Sequence, residues 1–469
     1  MLSYFPKYFT SKAITLYLGA LVVCNVIFFK NALSPLWWVF GIVEVIGFFY
    51  FANLLTKQWG NSSSKKFAKQ LFQTALIIRL SWMIFSYFFY TYMTGQPFEF
   101  DAGDAFGYHE EAIWVHELIN AGNLQTFFSY LDGRFSDMGY TFYLGWQYWI
   151  TGDSIIIARL LKVLYGAYTC VLIYKLTVRN FGEETGRIAA IFCMLMPNLI
   201  LYTGLHTKEV EMVLLTVAFM ERSDWMFRNK KFNLVEIAPP ILLAGSLFFF
   251  RTVLGATAIF ALFTTLLFTS TKVLGMGKRL ILAVWVLLTV AYFVGGKISN
   301  EVEQVWKARE ATQQASMDWR TVQENGNKFA KYATGAVFAP IIFIIPFPTI
   351  IETPLQQNQK IINGGNYVKN IMAFFVIFAL YWIIKEGKWR EYITLSAFTI
   401  GYLLIIANSS FAQSERFHQP ALPFLLVFAA FGISKMTNKE KKYFRWYTIF
   451  IFLAIVVWSW FKLAGRGMT

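Results

Sequence analysis

The chain has 469 residues, 57% of them hydrophobic and 19% aromatic, with 15% charged and a formal net charge of +15. Soluble domains average about 45–50% apolar and about 25% charged residues, so near-continuous apolar runs such as Ile14–Phe29, Ile371–Ile384 and Ile449–Phe461 exclude an ordinary soluble fold. The positive balance does not point to nucleic acid, because the basic residues sit in short loops between apolar segments, where membrane topology places them.

Apolar runs long enough for transmembrane helices are predicted over 13–29, 37–55, 70–93, 154–178, 187–205, 209–226, 234–250, 252–270, 279–297, 369–385, 392–408, 421–434 and 447–463. The expectation is an all-α polytopic membrane protein of about thirteen spans. Its basic N-terminus followed by an apolar run resembles a leader, but no small-residue cleavage site precedes Lys30 and a second span follows at once. The run therefore reads as a retained first helix. Pro197 and the pair Pro239-Pro240 fall inside spans and should kink or end them, since proline removes a backbone donor. Cys24, Cys170 and Cys193 all lie within apolar runs, a pattern that offers neither a disulfide framework nor a zinc knuckle.

Loop charge predicts orientation. The segments 56–69, 179–187, 227–231, 272–279, 385–391 and 435–446 are rich in Lys and Arg, whereas the alternating short loops hold little beyond Lys30, Lys208, Arg251 and Arg416. The first set is expected to be cytoplasmic, which places the N-terminus inside a bacterial inner membrane and two long segments, 94–153 and 298–368, outside. The second of these turns apolar through Ala339–Ile351, broken by Pro340, Pro346 and Pro348, and reads as re-entrant or interfacial.

The first outer loop carries nine acidic residues and one arginine, Arg134. It contains Asp101-Ala102-Gly103-Asp104-Ala105-Phe106-Gly107-Tyr108-His109-Glu110-Glu111. If a helix starts near Asp104, then Asp104, Tyr108 and Glu111 share a face at spacings of four and seven. Trp114, Leu118 and Ile119 supply part of an apolar stripe, as in a helix lying on a membrane surface. Asp104 has two readings: a helix cap, or a carboxylate that orients or deprotonates a substrate. Tyr and Trp side chains in 140–149 read as an interfacial belt, with sugar stacking as the alternative.

The Asp-x-x-x-Tyr pattern of Asp104 and Tyr108, just after an early span, resembles the integral-membrane GT-C glycosyltransferases. In particular it resembles the bacterial members related to the protein O-mannosyltransferases and to the lipid A aminoarabinose transferases. Further resemblances follow in order: Ala158-Arg159-Leu160-Leu161-Lys162 in the helix after the loop, Phe181-Gly182 with Arg187, Pro197 to the pair Lys208-Glu209, and Arg416-Phe417-His418-Gln419-Pro420. The resemblance is strongest over 95–225. Ala105 departs from it, standing where many relatives carry a second acid, and Asp101 is close enough to share the role of Asp104.

The resemblance implies a GT-C-like fold with surface helices in the first loop. It divides the chain into two N-terminal helices (1–69), a catalytic module (70–270) and a C-terminal membrane module (271–469). It implies transfer of a sugar from a polyprenyl-phosphate donor to an acceptor glycan, lipid or protein on the outer face, with inversion. Asp104 or Asp101 would be the base, with Tyr108, Glu111, Lys208, Glu209, Arg251, Arg416 and His418 as substrate-binding candidates.

Other readings stand beside these roles. Arg251 is also a turn residue able to reach the headgroups, and Lys208 is able to pair with Glu209 or Glu211. His109, His116, His206 and His418 all fall on the outer side, so a divalent metal is possible, but no pair has H-x-x-x-H spacing. Two rivals use the same pattern differently: a polysaccharide polymerase or ligase, and a transporter or lipid flippase without a catalytic carboxylate.

Overall fold

The computed structural model describes residues 3–131, 136, 138–229, 234–269, 276–277, 280, 283–284, 335–354, 356–409, 411–437 and 440–468. Among these the protein is built from helices, with a single isolated bridge between Ala32 and Ile351. The main helices are α1 (Lys7–Ile27), α2 (Pro35–Gln58), α3 (Ser64–Thr94), α4 (Gly103–Asn120), α5 (Leu124–Leu131) and α6 (Met138–Thr151). They continue with α7 (Ile155–Phe181), α8 (Glu183–Leu195), α9 (Pro197–Leu201), α10 (Glu209–Arg228), α11 (Leu234–Phe250) and α12 (Thr252–Phe268). The last are α13 (Asn363–Lys385), α14 (Ile393–Ala407), α15 (Glu415–His418), α16 (Leu422–Lys435) and α17 (Lys441–Ala464).

Local chemistry sets the ends. Ser63 and Ser154 accept hydrogen bonds from the first-turn amides of α3 and α7. Gly95 ends α3 in the left-handed region, at φ 78°, where a side chain would be strained. Pro197 breaks the predicted 187–205 span as expected, because α8 and the following turn meet at 53°. Pro239 and Pro240 behave differently: α11 runs through both.

Six helices, α1, α2, α3, α7, α13 and α17, are long and apolar enough to cross a membrane, and the bent pair from α8 onward brings the number to seven. Four more predicted spans form shorter apolar helices, α11, α12, α14 and α16. The predicted span 279–297 lies outside the described residues except at 280, 283 and 284. Thus six or seven helices meet the length and apolarity expected of a span, where the sequence suggests about thirteen. The remaining predicted span, 209–226, is α10, and its character is different: Glu209, Glu211, Glu221 and Asp224 are all buried along it.

Those acids explain how α10 is held. Glu209 pairs with Arg416, Glu211 with Lys162 at 3.4 Å, and Glu221 and Asp224 with Arg179. α10 packs on α7 and α11, α7 packs on α3 and α8, and α13 packs on α16 and α2. The α13–α16 contact is close: a Cβ on Gly432 would collide with the Phe375 carbonyl oxygen. Small residues permit this backbone approach between apolar helices. Outward positions such as Val43, Ile77, Phe88, Trp446 and Val457 are exposed and apolar, as lipid-facing positions are.

The hydrogen bonds sort the loops into two groups. Arg187 donates to the carbonyls of Trp59, Gly60 and Ser62, Arg228 to that of Glu391, and Thr269 to that of Arg390. These are the lysine- and arginine-rich connections. The acidic loop, the 206–209 turn, Arg251 and Arg416 meet one another instead. The Ala339–Ile351 stretch is irregular but packed against protein. Ile342, Ile345 and Ile350 are buried, and its carbonyls accept from Lys369 and Asn370. Broken backbone among apolar helices persists where neighbours satisfy it in this way.

Candidate functional site

The site is assembled at the N-terminal end of α4. The cap residue of this helix is Ala102, which makes no side-chain cap bond, and Asp104 lies in the first turn. The cap reading of Asp104 is therefore corrected: Ala102 holds the cap position and Asp104 lies inside the first turn. Asp104 Oδ2 accepts instead from Arg416 Nη1, and Arg416 Nε donates to Glu209 Oε1. One guanidinium thus joins α4, α10 and α15. The side chain of Asp104 is 61% exposed and that of Glu209 is fully buried. Arg416 is anchored on its inner side and accessible through Asp104. The two carboxylates hold the Arg416 guanidinium firmly protonated, against the opposing effect of burial.

Two more cations border this bridge. Lys208 caps α10, donates to the Phe250 carbonyl at 3.0 Å, and lies 5.8 Å from the centre of the Tyr108 ring. Burial, helped by the neighbouring Arg251 charge, brings its ammonium down to about 7. Arg251 follows α11, with its guanidinium 4.3 Å from the centre of the Phe417 ring. Its Nη1 is buried without a hydrogen-bond partner. A desolvated donor of that kind fits an anionic oxygen. The Tyr108 ring is set edge-on to Tyr140 at 4.9 Å, and burial raises its phenol pKa.

The remaining candidates lie elsewhere. Glu111 accepts from Thr141 Oγ1 at 3.0 Å and ties α4 to α6. His418 is buried, with Nδ1 2.7 Å from Lys369 Nζ and Nε2 2.9 Å from the Ala412 carbonyl. A carbonyl oxygen can only accept, so Nε2–H donates to it and Nδ1 of the neutral ring accepts from Lys369. Asp101 is exposed and has φ 51°, a left-handed turn that Asp tolerates better than most residues. Among the described residues no three His, Cys, Asp or Glu side chains gather as a metal-binding group.

The packing of α4 also differs from its sequence pattern. Ala105, Ala112 and Val115 are its buried positions, while Trp114 packs at an angle against Phe127 and edge-on to Tyr130 of α5. The expected apolar stripe is therefore covered in part by the neighbouring short helix, and α4 rests on protein.

Several contributors escape a reading of the sequence. Arg159 of α7 donates to the Pro97 carbonyl just ahead of the acidic motif, and Lys162, one turn on, donates to the Thr207 carbonyl. Tyr148 of α6 lies 2.8 Å from His109 Nδ1 and 3.1 Å from His206 Nε2, linking the first loop to the turn before Lys208. Arg159 and Lys162 stand in a segment singled out by resemblance, which is a usable signal. Nothing in the spacing of His109, Tyr148 and His206 signals their meeting.

No protein-family model and no curated protein sequence matches the chain. Among solved structures, it is similar to the archaeal oligosaccharyltransferase AglB from Archaeoglobus fulgidus, determined in complex with an inhibitory peptide and a dolichol-phosphate. The likeness has a TM-score of 0.37 at 14% identity, covering 71% of this chain and 47% of that one, so the chain spans about half the length of that protein.

Proposed function

We propose that this protein is a membrane glycosyltransferase of the GT-C type, moving a sugar from a polyprenyl-phosphate donor to an acceptor at the outer face of a bacterial inner membrane. The observation that carries the reading is the Arg416 bridge. It brings an exposed carboxylate, Asp104, to a buried anchor, Glu209, across separations of 312 and 207 residues. Arg251 and Lys208 border the same point. A carboxylate beside clustered cations matches a reaction in which one group takes a proton and others stabilise a departing phosphate.

In this reading the acceptor oxygen attacks the anomeric carbon as the bond from that carbon to the phosphate oxygen breaks. The acceptor proton passes to Asp104, and the electron pair leaves with polyprenyl phosphate. A single displacement inverts the anomeric centre. Phosphate is already a good leaving group, so the second carboxylate of a glycoside hydrolase is not required. Arg416 and Arg251 offer fork-shaped donors to the phosphate, and Lys208 offers a point charge. Arg416 also restrains Asp104 so that its exposed side faces the acceptor.

The test is the purified protein in proteoliposomes with a panel of radiolabelled polyprenyl-phosphate sugars and a membrane-envelope extract as acceptor. The expected result is labelled product together with released polyprenyl phosphate. Passage of intact lipid-linked sugar between leaflets, with no cleavage of the sugar–phosphate bond, would establish a flippase instead.

A further inference from the structure

Immediately before α4 the chain lines a cavity of about 330 Å³ between the first loop and the turn that begins at Gln357. We propose that this cavity is the acceptor subsite, and that it takes a neutral or amine-bearing sugar unit while rejecting an anionic one. The inference rests on the reading of Asp104 as the base and adds the chemical class of the acceptor.

Position is the first argument. The cavity lining runs from Thr94 to Ala102, and the next residue opens α4, whose first turn holds Asp104. Asn358 donates to the Phe100 carbonyl and fixes the far wall against the loop. A group seated here lies next to the proposed base. The cations Lys208, Arg251 and Arg416 gather around Glu209 and are absent from the lining. Donor phosphate and acceptor are thereby given separate places.

Chemistry is the second. The lining offers two carboxylates, Glu99 and Asp101, two amides, Gln96 and Gln357, and two rings, Phe98 and Phe100. Carboxylates and amides suit the many hydroxyls of a sugar, and aromatic rings suit its apolar faces. The size falls at the lower end of the roughly 300–1,000 Å³ range of small-molecule sites. Among the described residues the lining holds no cation, so the exposed Asp101, together with Glu99 when ionised, repels an anion and attracts an ammonium.

Glu99 is the third. It is only 8% exposed, yet its Oε2 has no hydrogen-bond partner. Buried polar atoms without partners are exceptions that call for an explanation. A ligand hydroxyl in the cavity supplies the missing partner. Burial favours the protonated form of Glu99, which would donate to a hydroxyl oxygen, while the ionised form would accept from a hydroxyl or an ammonium.

The test uses the full-length protein in lipid nanodiscs and saturation-transfer NMR with three probes. These are N,N′-diacetylchitobiose (neutral), chitobiose (amine-bearing) and digalacturonic acid (anionic). Binding of a polyprenyl-phosphate sugar is measured in parallel. The first two disaccharides should bind, the third should not, and Gln357→Trp should weaken the first two by at least about tenfold while leaving lipid-linked sugar binding unchanged. If Gln357→Trp loses lipid-linked sugar binding as well, Gln96→Trp, at an exposed position on the rim, gives the same comparison in a folded protein. Native disaccharide affinity in the filled variant that retains lipid-linked sugar binding overturns the proposal. So does equal binding of the anionic probe, or binding of none of the three. If lipid-linked sugar fails to bind the unaltered protein while disaccharides do bind, the transferase reading falls, the acceptor assignment falls with it, and the cavity is a sugar-binding site only.

Discussion

At the scale of single residues, Arg416 decides how the site is organised. Replacing it with Lys keeps the charge and loses the fork that reaches Asp104 and Glu209 together. Arg416→Lys should lower turnover by at least about tenfold in a transfer assay while leaving the protein folded. Lys208 makes the site sensitive to pH. Burial brings its ammonium down to about 7, and a bound phosphodiester raises that value. Donor binding above pH 7 therefore takes up a proton, so affinity is greatest below 7 and falls as pH rises, by at most about tenfold per unit. Calorimetric titration of a polyprenyl-phosphate sugar between pH 6 and 9 checks the slope, and Lys208→Met should abolish it. The phosphodiester carries one charge throughout that range, so the ligand itself does not supply the slope. Asp104, Glu209 and Arg416 were each visible in the sequence as candidates, through their order along the chain. Their mutual contact was not, because nothing local links residues 207 and 312 positions apart. Glu99 was counted among the loop acids, and only burial sets it apart.

At the scale of elements, α10 carries the strongest energetic consequence. Lys162 and Glu211 are both buried and lie 3.4 Å apart, joining α7 to α10. Removing one partner leaves an uncompensated buried charge, a loss of roughly 3–5 kcal/mol, whereas removing both is often nearly neutral. Lys162→Met should therefore lower the melting temperature in detergent markedly, and Lys162→Met with Glu211→Leu should recover most of it. Equal melting of the single and double variants would contradict the pairing. The sequence made α10 look like one more span, because its middle is apolar. The structure gives its buried acids cationic partners at both ends, and hydropathy is blind to such pairing. The α4 helix was legible in its start and length. Its packing was not, since Ala105, Ala112 and Val115 are small and make a weaker pattern than Trp114, Leu118 and Ile119.

At the scale of the whole molecule, loop charge and hydrogen bonding divide the connections in the same way. Arg187, Arg228 and Arg390 belong to one group, and the acidic loop with Lys208, Arg251 and Arg416 to the other. The positive-inside rule assigns the first group to the cytoplasm. Single cysteines placed at Lys65 and Asn123, in a background lacking the native three, should be labelled by an impermeant maleimide only at residue 123 in intact cells. Labelling at residue 65 alone would invert the topology and move the proposed chemistry to the cytoplasmic face. The alternation of loops was readable because it rests on composition. The number of spans was less so, because four of the apolar helices are shorter than a bilayer-crossing helix needs to be. The central claim is that Asp104 acts on the acceptor at the outer face. The most direct measurement is transfer from a polyprenyl-phosphate sugar by purified Asp104→Asn, with Asp101→Asn alongside. If Asp104 is the base, Asp104→Asn binds donor within about twofold of the unaltered protein and transfers roughly 10²–10⁴-fold more slowly, with Asp101→Asn still turning over; full transfer by Asp104→Asn would show that another group takes the proton.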